Sequence, residues 1–201
     1  MTSPIAVAVF CASSERVNAS YPLLAAQVGA ELAGRGWTLV SGGGSVGMMG
    51  ALARATRAAG GRTVGVIPRA LAELEVADHD ADELLVTSDM RERKSLMDAR
   101  ADAFLALPGG IGTLEELLEI WVSRSLGMHG KPVVVLDPLA DFALLRAQVE
   151  HLVAAGFVRA QAAGEVLWAQ TVSEAFSALE TGLASPRGRD APADEFLEAD
   201  L

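Results

Sequence analysis

Cysteine occurs once in these 201 residues, at Cys11, so no intrachain disulfide can form. The three histidines, His79, His129 and His151, are scattered, with no ligand spacing around Cys11, and no zinc site can be read from them. No other spacing implies a metal or redox cofactor. Lysine occurs only at Lys94 and Lys131, and the arginines form no cluster. A nucleic-acid track needs many clustered cations to displace counterions from many phosphates, so that class of partner is excluded, while a single nucleotide needs far fewer. Long apolar runs are missing too. Residues 5–10 fall short of a signal h-region and nothing approaches membrane-spanning length, so no membrane partner is expected and the expectation is a soluble cytoplasmic protein.

Aromatic residues make up only 5% of the chain, yet 51% is hydrophobic, enough to bury the core of one domain. Residues 1–183 are expected to form that domain. The formal charge of −10 is uneven: in 184–201 two arginines stand against five carboxylates, leaving −3 for the tail and −7 for the rest. This acidic, Pro- and Gly-containing tail is expected to be disordered.

Strand and helix signals alternate along the chain. Apolar strands are expected at 5–10, 37–40, 62–67, 83–86, 103–107, 133–136 and 166–168. Helices are expected from about Tyr21, with Ser20 as N-cap and Gly36 as the stop, then over 48–59, 89–101, from Thr113, over 141–155 and over 173–183. The stretch after Pro68 reads as irregular. Continuous apolar strands alternating with helices predict an α/β fold: a Rossmann-like, doubly wound, mainly parallel sheet with helices on both faces. In such sheets ligands bind beyond the carboxyl ends of the strands.

Three loops lie there. Residues 10–14, Phe-Cys-Ala-Ser-Ser, put short hydroxyl side chains on a turn, Ser13 among them. Gly42-Gly43-Gly44-Ser45-Val46-Gly47 matches G-x-G-x-x-G between a strand and a helix. Pro108-Gly109-Gly110-Ile111-Gly112-Thr113 opens the next helix. Free N–H groups at a helix start attract phosphate, and glycines allow its close approach. The strand at 62–67 runs into Pro68-Arg69, without the acidic residue that binds a dinucleotide ribose, so a mononucleotide fits better than NAD.

Two charged groups accompany these loops. Thr113-x-x-Glu116 has the form of a capping box, which alone would account for both residues. Arg93 shares a helical stripe with Met90, Leu96 and Met97, whereas Arg91 projects elsewhere. A guanidinium on an apolar face needs a buried anion, and either a phosphate or Glu116 would serve.

These residues resemble the cytokinin-activating LONELY GUY phosphoribohydrolases, part of a group long mislabelled as lysine decarboxylases. The resemblance rests on residues 42–50 (GGGSVGMMG), on Glu92-Arg93-Lys94, on residues 108–116 (PGGIGTLEE) and on residues 126–132 (LGMHGKP), in the family's order, and spans about 5–180. It implies hydrolysis of the N-glycosidic bond of N6-substituted AMP, releasing an adenine-type base and ribose 5-phosphate. It implies no cofactor, an AMP-like substrate as small-molecule partner, and a homodimer to which the helix carrying Leu117, Ile120 and Trp121 would contribute unless those residues pack on the sheet.

The family's catalytic arginine and glutamate fall by motif on Arg93 and Glu116. Substrate contacts are expected from Ser13, Gly42, Gly43, Gly44, Met90, Lys94, Gly109, Gly110, Gly112, Thr113 and Glu115, the two glycine loops holding the phosphate. The older label requires a Schiff-base lysine, and neither Lys94 nor Lys131 sits in a recognisable pyridoxal site. Arg91 stands where plant members usually have histidine, Ile111 where tyrosine is common, and residues 122–125 lack the usual Trp and Gln. These departures leave plain AMP open beside prenylated AMP, and a non-catalytic nucleotide carrier is the rival from another class.

Overall fold

The computed structural model describes residues 4–73 and 76–185. Seven strands form one sheet: β1 (Ala6–Phe10), β2 (Thr38–Ser41), β3 (Thr63–Pro68), β4 (Glu83–Thr87), β5 (Ala103–Ala106), β6 (Val133–Leu136) and β7 (Val166–Ala169). Their order is β4-β3-β2-β1-β5-β6-β7, and every pairing is parallel. The chain winds outward from β1 to one edge, returns to β5 beside β1, and winds to the other edge. The boundary between β1 and β5 is therefore the switch point, where loops diverge and leave a crevice.

Helices cover both faces. α1 (Ser20–Gly34), α2 (Gly47–Ala58) and α8 (Val172–Ala184) lie on one side; their partners in the core include Val7, Val9, Leu39, Leu105 and Leu136. On the other side α4 (Met90–Arg100), α5 (Ile111–Ser125) and α6 (Ala143–Ala154) pack with Ala8, Val40, Val66, Phe104 and Val135. Successive strand residues point to opposite faces, so a strand with both faces covered must be apolar throughout, as β6 is with its four buried residues. Two short helices, α3 (Arg69–Ala72) and α7 (Ala160–Ala163), complete the set. No described helix is long and apolar enough to cross a membrane.

Several local expectations change. Ser20 is the first residue of α1 rather than its cap; Asn18 Oδ1 accepts the Ser20 N–H at 3.0 Å. Gly36, at φ 66°, does lie at the turn after α1, next to the cap residue Arg35. The stretch after Pro68 begins with α3 rather than irregular chain. α6 starts two residues later than expected because Asp137 accepts the N–H groups of Asp141 and Phe142, at 2.7 and 3.2 Å, and holds them in a turn. Leu117, Ile120 and Trp121 are buried against the sheet, which removes them from any contact between copies; Ile111, Leu118 and Val122 are the exposed apolar residues of α5. From residue 186 onward the tail expected to be disordered lies outside the described residues.

Candidate active site

The carboxyl ends of β1, β2, β3 and β5 open into a cleft of about 520 Å³. Its base is an ion pair. Arg93, on the first turn of α4, reaches over the sheet and donates from Nη1 to Glu116 Oε1 at 2.6 Å and from Nε to the Val66 carbonyl at 3.1 Å. Both side chains are buried, with 6% of Arg93 and 8% of Glu116 exposed. Two charges so far from water are tolerable only when they satisfy each other, which fixes their mutual geometry. Of the two anions open to Arg93, the one it meets is Glu116.

The local sequence explains how Arg93 arrives there. Asp89 caps α4 by accepting the N–H groups of Arg91 and Glu92 at 2.8 and 2.9 Å, and Glu92 accepts the Ser88 N–H at 2.7 Å. This reciprocal cap sets where the helix begins and hence which face Arg93 occupies. Arg91 lies on the exposed face. Gly42 clears the path, since a Cβ there would stand 2.1 Å from Arg93 Nη2. A side chain at that crossing would displace the guanidinium from its place beside Glu116.

Glu116 is not a cap. α5 begins at Ile111 after Gly110, so Thr113 is its third residue and Glu116 its sixth, and no side chain caps the helix. The capping-box expectation is thereby corrected: the glycine run lets the helix start two residues before Thr113. Gly110, Gly112 and Thr113 line the cleft with their N-terminal N–H groups uncapped. Ser13 lines it from the loop after β1. This end carries the positive pole of the helix and suits an anion.

The second glycine loop behaves differently. Gly43 N–H donates to Ser41 Oγ at 3.3 Å, Gly44 N–H to Met49 Sδ at 3.1 Å, and Ser45 N–H to the Val76 carbonyl at 2.8 Å. The Gly43, Gly44 and Ser45 donors are thus engaged within the protein, while α2 begins at Gly47 with no side-chain cap. Gly42 and Gly44 line the cleft, whereas Gly43, at φ 72°, packs against Val66 and Ile67.

Met90 and Glu115 also line the cleft. Lys94 and Gly109 are not among its lining residues. Lys94 is paired with Glu115, which lines the cleft, and, at 2.7 Å, with Glu119 along α5; Gly109 lies against the Thr113 side chain. Spacing alone missed Ile67, Leu71 and Val76, which wall the cleft at the β3 end, and Cys11 on its floor. For Ile67 the available signal was its place as the last apolar residue before Pro68; Val76 had none.

Burial pushes the Glu116 carboxyl up from its ordinary value, with Arg93 opposing that shift. Burial, with Glu116 adding to it, raises the Cys11 thiol to about 12, which favours the neutral thiol over the thiolate. Among the described residues no group of three or more His, Cys, Asp or Glu side chains is placed to hold a metal. Lys131 Nζ is engaged by Asp98 at 2.7 Å and Lys94 by its glutamates, so neither lysine offers a free amine in the cleft for a pyridoxal Schiff base.

Residues 49–179 match the family described as "Possible lysine decarboxylase". A cytokinin riboside 5′-monophosphate phosphoribohydrolase of Mycobacterium tuberculosis is 51% identical over 178 residues, covering 89% of this chain and 95% of that protein. One from Arabidopsis thaliana is 38% identical over 174 residues, 87% of this chain and 81% of that protein. Among solved structures, the molybdenum cofactor carrier protein of Chlamydomonas reinhardtii aligns with a TM-score of 0.71 at 24% identity, over 91% of this chain and 100% of that one. That likeness is one of fold.

Proposed function

We infer, from the premise that the chain belongs to the family of the cytokinin riboside 5′-monophosphate phosphoribohydrolases, that it is an N-glycosidase acting on N6-substituted adenosine 5′-monophosphates. Water is the second substrate, and the products are the free base and ribose 5-phosphate. The observation that carries this reading is the buried Arg93–Glu116 pair beside an uncapped helix start. A carrier needs the helix start but has no use for a buried carboxylate facing the sugar.

The geometry supports the following roles. The 5′-phosphate sits on the N–H groups of Gly110, Gly112 and Thr113, with Ser13 beside it. The ribose lies over Glu116, and the base extends toward β3. As the C1′–N9 bond breaks, its electron pair leaves with the base and the ribose gains oxocarbenium character. The Glu116 carboxylate stabilises that positive charge and orients the water that attacks C1′, and the proton this water loses ends on the departing base, which leaves neutral. Arg93 occupies Oε1, which leaves Oε2 for the sugar and the water. Arg93 opposes, without cancelling, the upward push that burial gives the carboxyl.

A homodimer is part of this proposal. The resemblance implies one, and the outer face of α5, with Ile111 at 87% exposure beside Leu118, Val122 and Leu126, is the apolar surface that supports it.

The test is base release from N6-isopentenyl-AMP and from AMP, followed by chromatography, with wild type and Glu116→Gln. Release of isopentenyladenine should fall by about 10²–10³-fold or more in the variant, the scale of losing a preorganised electrostatic group. Binding of both nucleotides without cleavage by the wild type would make the protein a carrier.

A further inference from the structure

Residues 76–78 lie as a strap across the glycine loop. Ala77 forms an isolated antiparallel bridge with Gly44, the Asp78 N–H donates to the Gly43 carbonyl at 2.8 Å, and the Ser45 N–H and hydroxyl both donate to the Val76 carbonyl, at 2.8 and 3.2 Å. The strap is fastened from below. Asp78 is buried, and Arg57 of α2 grips it with both nitrogens, Nη1 to Oδ2 at 2.8 Å and Nη2 to Oδ1 at 3.1 Å. Parallel two-pronged bonds of this kind fix direction as well as distance.

The strap puts Val76 into the cleft wall beside Ile67, Leu71 and Met90. This wall lies at the β3–β4 side, whereas the helix start that suits phosphate follows β5. Three strand spacings separate β5 from β3, roughly 14 Å, about the reach of a nucleoside monophosphate from phosphate to the far edge of its purine. An exocyclic amine bearing two hydrogens arrives at a wall of hydrocarbon, where a desolvated donor is costly. An amine carrying an alkyl group presents carbon to carbon there.

We propose that Val76 is a specificity-determining residue that reads an apolar substituent on the purine amine, and that Arg57 and Asp78 are positioning residues that hold it against the ligand. The inference rests on the nucleotide-hydrolase reading above and extends it to residues outside the glycine loops and the ion pair. The charges of Arg57, on α2, and Asp78, on the strap, pair with each other, and neither residue lines the cleft.

The experiment measures kcat and KM for N6-isopentenyl-AMP and AMP with wild type, Val76→Ala and Asp78→Asn. In both variants the ratio of kcat/KM for the prenylated over the plain nucleotide should fall, by about tenfold for Val76→Ala, the scale of a lost methylene-sized contact in an apolar pocket. The fall should come through KM of the prenylated substrate. A purely structural role would lower kcat for both substrates together through loss of active protein. Parallel change in the two substrates, or none, in Val76→Ala overturns the proposal even if Asp78→Asn does not fold. Failure of the wild type to cleave either nucleotide overturns the hydrolase reading, and the proposal with it, by a different signature.

Discussion

Glu116 is under two opposed influences, burial that favours the neutral acid and Arg93 that favours the carboxylate, and burial is the larger. If the carboxylate is the working form, its protonation removes activity as pH falls. The acid limb of kcat/KM, which reports the free enzyme, should therefore lie above the ordinary glutamate value of 4.5. In Arg93→Met the lowering influence is gone, and the limb of the residual activity should move further up. That variant also leaves a buried charge without its partner, so its midpoint of thermal unfolding should drop by an amount matching about 3–5 kcal/mol. A limb at or below 4.5 in the wild type would exclude Glu116 as the titrating group. Arg93 was legible in the sequence because a guanidinium on an apolar helical stripe requires an anion. The place of Lys94 was not, because an exposed ion pair along a neighbouring helix leaves no trace in local spacing.

The start of α5 separates a binding role from a merely local one. A Cβ built on Gly112 meets nothing within 4 Å, and alanine favours a helix by up to about 1 kcal/mol over glycine. If Gly112 served the helix alone, alanine would be the better residue. Gly112→Ala should keep or raise the melting temperature while raising KM for the nucleotide about tenfold, since the new methyl stands where the phosphate docks. An unchanged KM would move the phosphate elsewhere. At this scale most elements were readable, because strands covered on both faces must be apolar throughout and helices show their stripe. The Gly42–Gly47 loop has the pattern of a phosphate cradle, yet the Gly43, Gly44 and Ser45 N–H groups are taken by Ser41, Met49 and Val76. Nothing local to Val76-Ala77-Asp78 announces a strap, since it is held by a single bridge and by an arginine 21 residues earlier.

For the whole molecule, strand order decides which loops meet. Only the return of the chain to β5 beside β1 brings the α5 start, the Ser13 turn and Arg93 to one crevice, and strand–helix alternation predicts a parallel sheet without specifying that order. The same winding leaves α5 with two apolar faces. Leu117, Ile120 and Trp121 fill the core, while Ile111, Leu118, Val122 and Leu126 face outward with Met128 close by. A monomer carrying a formal charge of −10 repels its copies at long range, so association requires a patch whose apolar burial exceeds that repulsion. A two-fold pairing of α5 against α5 would cover the patch on both copies at once. Leu118→Glu with Val122→Glu places four carboxylates in that contact. Sedimentation should then show a dimer for the wild type and a monomer for the double variant, with rising salt favouring the dimer by screening the net charge. A wild type that sediments as a monomer at every concentration and salt level would leave this face without a second copy as its occupant.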